Sequence, residues 1–70
     1  MSNLLNERFL DMKGVKELTT LSRPTIYAYV KDPRQNFPKP ITIGLRRVVW
    51  LKSECDAWLA AKIRAARRAA

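Results

Sequence analysis

Three of the chain's four prolines fall in one run of nine residues, DPRQNFPKP at positions 32–40. A proline has no amide hydrogen to donate, and it pushes the residue before it out of the helical region. Asp32-Pro33 therefore ends any helix arriving from the N-terminal side, and 32–40 reads as a stiff loop with Phe37 as its one apolar anchor. The whole chain has 70 residues. That length allows one domain with a single core made of few elements, burying about 60% of the surface that the unfolded chain exposes.

Two helices are expected ahead of the loop. Asp11 can cap a helix in which Met12, Val15 and Leu18 recur at helical spacing. Gly14 weakens that helix by about 1 kcal/mol relative to alanine. Thr19 and Thr20 suit its exit, and Leu21 plugs the angle to the next element. Ser22 caps the second helix, expected from Arg23 to Lys31, with Pro24 in the first turn where a missing amide hydrogen costs nothing. Ile26, Tyr29 and Val30 form its inward face.

After the loop, residues 41–43 alternate apolar, polar, apolar. Gly44-Leu45-Arg46 can turn, and Arg47-Val48-Val49-Trp50-Leu51 is rich in strand formers, which together read as a β-hairpin. Ile41, Ile43, Val48 and Trp50 are expected on one face. Ser53, with Asp56 three residues on, opens a last helix with a buried stripe of Cys55, Trp58, Leu59 and Ile63. Residues 60–70 are alanine-rich, and Arg64, Arg67 and Arg68 complement the negative end of the helix dipole. Trp50 and Trp58 fall on apolar faces and read as core rather than as base-stacking platforms.

Fourteen Lys and Arg oppose six Asp and Glu, for a net charge of +8. The excess is uneven. Charges cancel over the first 20 residues, whereas between 21 and 52 Arg23, Lys31, Arg34, Lys39, Arg46, Arg47 and Lys52 face Asp32 alone. Such a concentrated field attracts polyanions by releasing their condensed counterions, which points to nucleic acid. With no His and one Cys there is no zinc ligand set and no Ser-His or Cys-His pair, so an enzyme is the class least supported and no cofactor is expected. Cys55 alone cannot form an internal disulfide and fits a reducing cytosol. No signal-peptide pattern occupies residues 1–9, and no apolar run approaches the ~20 residues of a membrane span. Glu54 and Asp56 favour the positive end of a helix dipole rather than an acid–base pair.

Helix, tight turn, helix, hairpin, helix is the order of a small α+β fold, the winged helix-turn-helix. In that arrangement the second helix enters a major groove and a two-stranded hairpin wing lies along the backbone or in the minor groove. The expected organisation is a flexible N-terminal tail over 1–9, a DNA-binding domain over 10–66 and a basic tail over 67–70.

The runs LSRPTIYAYVK, FPKPITIG, RRVVW and SECDAWLA, taken together, closely resemble the AlpA-type phage and prophage regulators. That family is related to excisionases and to the MerR-type winged-helix domain, and the resemblance spans about residues 8–64. It implies a cytoplasmic, nucleoid-associated protein that binds double-stranded DNA. Its role would be transcriptional control of phage, prophage or genomic-island genes such as integrase genes. The alternative it implies is an architectural excisionase that bends DNA beside an integrase. Integrase or RNA polymerase would be the protein partners, and so small a domain leaves room for dimers or cooperative assembly on DNA. The chain departs from the family pattern at Gly14, where a charged residue is common, and at Thr20, where glycine is. It departs again at Pro24, in place of a small hydroxyl residue, and at Ala28, in place of a long polar one.

The candidate DNA contacts are Ser22, Arg23, Pro24, Thr25, Tyr27, Ala28, Lys31, Lys39, Arg46 and Arg47. Arg23, at the helix start, can hold a guanine bidentately or clamp a phosphate. Thr25 can bond a phosphate or cap its own helix. Tyr27 can donate its hydroxyl to a phosphate or pack half-buried. Ala28 offers only a methyl contact to thymine, and Pro24 shares the outward face. Lys31 and Lys39 suit phosphates. Arg46 and Arg47 suit phosphate or a narrow minor groove, against the plainer role of charges that guard a sheet edge. Two other classes remain as alternatives. The 60–70 helix could lie on an anionic membrane, although it has no Trp, Phe or Leu to insert. More remotely, the basic surface could dock an acidic protein.

Overall fold

The computed structural model describes residues 8–69. Most of the expected N-terminal tail lies outside that range. The element order is β1 (Phe9–Leu10), α1 (Met12–Thr19), α2 (Arg23–Lys31), a short 3-10 turn (Pro33–Gln35), β2 (Ile41–Gly44), β3 (Arg47–Leu51) and α3 (Lys52–Ala69). Among the described residues the strands form one antiparallel sheet in the order β1-β3-β2. This small α+β architecture is compatible with a winged helix.

The sheet has three strands where the sequence predicts two. Phe9, expected in the tail, pairs with Leu51, and Leu10 pairs with Trp50. The Lys52 amide adds a bond to the Arg8 carbonyl at 2.8 Å. A two-residue strand is too short to produce a readable alternation.

Asp11 caps α1 as expected, its Oδ1 accepting from the Gly14 amide at 2.9 Å. A Cβ on Gly14 would sit 3.1 Å from Leu10 Cδ2, so the glycine that weakens the helix also lets it lie against β1. The Thr19 hydroxyl is buried, donates to the Val15 carbonyl at 2.8 Å and accepts from the Leu21 amide at 3.3 Å. The helix ends at Thr20, whose φ of 61° is left-handed and whose amide closes on the Lys16 carbonyl at 2.8 Å. That backbone is why glycine suits this turn, and a β-branched residue is strained there.

Ser22 caps α2, its hydroxyl accepting from the Thr25 amide. Ile26 is fully buried, with Tyr29 and Val30 packed against the same core of Val15, Ile26, Phe37, Trp50 and Cys55. The proline-rich loop is drawn onto this core by both tryptophans. Trp50 Nε1 donates to the Pro38 carbonyl at 3.1 Å, and Trp58 Nε1 donates to the Gln35 carbonyl at 2.8 Å. Tyr29, Phe37 and Trp58 add an aromatic cluster in which the Phe37 and Trp58 rings stand 4.8 Å apart, edge to face.

The hairpin faces differ from expectation. Ile41 pairs with Val49, Thr42 with Val48 and Gly44 with Arg47, with a bulge between Thr42 and Gly44. Directly opposed residues share a face. Ile41 therefore goes with Val49 on the outer side, while Val48 and Trp50 take the inner side. Ile43 is 56% exposed. The four-residue apolar set expected on one face is thus split, because the extra bulge residue shifts the pairing by one. α3 begins at Lys52, two residues before the start that a Ser53 cap predicts, and the Asp56 carboxylate takes the Lys52 ammonium at 2.8 Å. Ile63, expected in the buried stripe, is 43% exposed, because the last turns of α3 run past the body that covers Cys55 and Trp58.

Two outcomes follow. Thr20→Gly is expected to stabilise the fold by about 1 kcal/mol by relieving the left-handed strain, a rise of ~4–8 °C in melting temperature. Cys55 is buried, and desolvation, helped by the nearby carboxylates of Asp56 and Glu54, pushes its thiol from 9.0 up to about 11. The folded state then holds the thiol proton more tightly than the unfolded chain does. The stability this contributes is complete below about pH 9 and is lost as pH rises toward 11. Urea unfolding between pH 8 and 11 should show that loss, and Cys55→Ala should reduce it.

Candidate nucleic-acid interface

α2 presents its outward side as the sequence predicts. Ser22, Arg23, Pro24, Tyr27, Ala28 and Lys31 are exposed, and Thr25 is half-buried. The capping geometry engages two hydroxyls. Ser22 Oγ donates to Thr25 Oγ1 at 2.9 Å and accepts from the Thr25 amide at 3.4 Å, so both side chains serve the start of the helix. The Arg23 guanidinium lies over the Tyr27 ring at 5.7 Å from its centroid. That contact orients the arginine without neutralising it.

The loop brings a second pair together. Lys31 at the end of α2 and Lys39 line one depression of about 440 Å³, with Val30, Asn36 and Phe37 among its walls. Asn36 turns the chain here at a φ of 54°, which asparagine tolerates well. The third cationic group is the hairpin tip. Arg46 sits in the turn with a φ of 62°, and Arg47 begins β3 on its outer face. Arg47 lines a shallow depression there with Phe9, Ile43 and Val49.

The other two cations of the basic segment are engaged. Arg34 grips Asp32 through Nε at 3.1 Å and a second nitrogen at 3.3 Å. That guanidinium, with the Arg34 amide, holds the Asp32 carboxyl below its usual pKa, so the acid stays ionised and paired. Lys52 is tied to Asp56. Among the described residues Arg23, Lys31, Lys39, Arg46 and Arg47 have no carboxylate partner, so their charge is available to an external anion. In the C-terminal helix Lys62 is bonded to Gln35 Oε1 at 3.1 Å, while Arg64, Arg67 and Arg68 are exposed.

Sequence reasoning missed one residue of this region. Leu45, used there only to make the turn, is 98% exposed at the hairpin tip. The signal was an apolar residue at a turn position that ordinarily takes Gly, Asn or Asp.

The chain is thus a small α+β domain with a basic helix face and a basic hairpin tip that carry no carboxylate partners among the described residues. Residues 8–63 match the family described as prophage CP4-57 regulatory protein (AlpA), and the chain belongs to that family. It is 37% identical over 68 residues to the uncharacterized protein ORF88 of Enterobacteria phage P4, covering 97% of this chain and 75% of that protein. It is 36% identical over 63 residues to the DNA-binding transcriptional activator AlpA of Escherichia coli K12, covering 84% of this chain and 90% of that one. No solved structure matches it significantly.

Proposed function

We propose that the chain is a double-stranded-DNA-binding regulator of phage or prophage genes, acting as a winged helix-turn-helix in the cytoplasm, on the nucleoid. The observation that carries this reading is the set of five unpaired cations on α2, the following loop and the hairpin tip, in a chain whose remaining mid-segment cations are tied to carboxylates. Its relative in Escherichia coli K12, a DNA-binding transcriptional activator by name, supports it. α2 lies in a major groove, with Arg23 at its entry, and the hairpin serves as a wing. Lys31, Lys39, Arg46 and Arg47 meet phosphates, which supply most of the affinity. Integrase genes are the regulated targets, integrase or RNA polymerase is the protein partner, and no catalytic step is part of the role.

A second reading draws on the outward face of α2. Pro24 and Ala28 are exposed there and offer bases almost nothing to hydrogen-bond. Specificity then leans on DNA shape and deformability, which suits an architectural excisionase that bends DNA beside an integrase.

Duplexes selected from a random pool provide the test, with affinity followed across salt concentration. Arg46→Ala and Arg47→Ala should each lower the salt slope by ~1. Arg46→Gly should bind as weakly as Arg46→Ala yet melt no lower than the parent, because glycine relaxes the left-handed turn. Arg23→Ala should cost ~1–3 kcal/mol on the selected site and less on random duplex if it holds a guanine; equal loss on both makes it a phosphate clamp. A chain that binds no duplex at low salt would refute the whole reading.

A further inference from the structure

The hairpin turn breaks two local rules at adjacent positions. Leu45 leaves nearly all of its side chain in water at 98% exposure. Arg46 holds a φ of 62° that glycine would adopt without strain. Turns favour Gly, Asn, Asp and Ser, and nothing in the described fold rewards a leucine here, since no other described residue covers it. Departures of this kind gather where a protein meets a ligand.

The neighbours of Leu45 narrow the ligand. Arg46 follows it directly, Arg47 closes the hairpin opposite Gly44, and neither has a carboxylate partner among the described residues. An apolar side chain at the tip of a narrow ribbon, followed directly by two free guanidiniums, suits a surface that is apolar in the middle and anionic at its rims. Stacked base pairs seen from the minor groove, between two phosphate rows, are such a surface. An apolar pocket on a protein would not call for both cations beside the leucine.

We infer that Leu45 is a wedge. It enters the minor groove and partly unstacks one base step, while Arg46 and Arg47 hold the phosphates or groove walls on either side. This deepens the DNA-binding reading above and rests on it. The step it opens is a flexible pyrimidine–purine step, TA or CA/TG, where unstacking is easiest. The duplex kinks toward the major groove, so the wedge contributes to site choice at a position where the hairpin makes no base hydrogen bond.

The experiment uses the full chain and duplexes recovered by selection from a random pool. One set carries 2-aminopurine at successive positions and another carries fluorophores at both ends. With the parent protein, emission should rise at one step beside the hairpin, and the ends should draw together. Leu45→Ala should lose both signals and weaken binding about 10-fold at fixed salt. Its salt slope should match the parent's, unlike those of the arginine variants. Leu45→Phe should retain the unstacking signal. Because the side chain is solvent-exposed, these substitutions leave the core untouched.

Parent protein that binds with neither signal, or Leu45→Ala that keeps both, overturns the wedge and leaves DNA binding standing. A Leu45→Ala variant that instead changes the mass of the free protein in sedimentation assigns the leucine to a protein contact and likewise overturns it. Absence of duplex binding by the parent chain removes the wedge together with the reading beneath it.

Discussion

The carbonyl oxygens of Gln35 and Pro38 are taken by the indole N–H groups of Trp58 and Trp50, and the placement of the loop that joins α2 to the hairpin depends on those two bonds. A loop with three prolines in nine residues lacks the amide hydrogens to build its own ladder. Its carbonyls near the core would be costly without donors. Trp50 supplies one from β3 and Trp58 supplies another from α3. Because this loop is the covalent link between α2 and the hairpin, fixing its middle fixes where β2 begins relative to the end of α2. Lys31 and Lys39 come to line one depression as a consequence.

Aromatic packing does for this short chain what size does for larger ones. Trp50 is among the largest fully buried side chains, and Tyr29, Phe37 and Trp58 meet ring against ring between α2, the loop and α3. Each aromatic ring buries far more area than an aliphatic side chain. The core contains no ionised side chain, so the large positive charge stays on the rim. Two cations of the basic segment are neutralised by acids a few residues away, Arg34 by Asp32 and Lys52 by Asp56. The charge that remains lies on α2, the hairpin and the loop between them, whose backbone the indoles hold.

Capping and periodicity made α1 and α2 legible, because Asp11 and Ser22 each stand one residue ahead of a helix that carries an apolar stripe. The inward set Ile26, Tyr29 and Val30 was readable for the same reason. The excess of apolar over polar residues in β2 and β3 located the hairpin but not its faces. Register depends on a bulge, and no residue type announces one here: Gly44 has an ordinary φ and Arg46 takes the left-handed position. β1 was hidden by its two-residue length. Gly14 read as a defect of α1 because its use, a close approach to Leu10, is a contact between elements and leaves no local pattern. The candidate contacts on α2 were legible as exposed positions, yet the pairing of Ser22 with Thr25 required coordinates.

Three residues other than glycine hold a left-handed φ among those described: Thr20, Asn36 and Arg46. Asparagine adopts this conformation at little cost. At Thr20 the strain is met only in part within the molecule, by a hydroxyl that donates to the Thr19 carbonyl. Arg46 has no comparable offset: its side chain meets no acid and no ring among the described residues. A long cationic side chain held on a strained turn, beside a leucine left in water, is stable only as a minor loss within a fold anchored elsewhere. The indole-pinned loop provides that anchorage. Under the DNA-binding reading, the compensation that Arg46 lacks inside the chain comes from phosphate oxygens outside it, which explains why glycine does not stand at the tip.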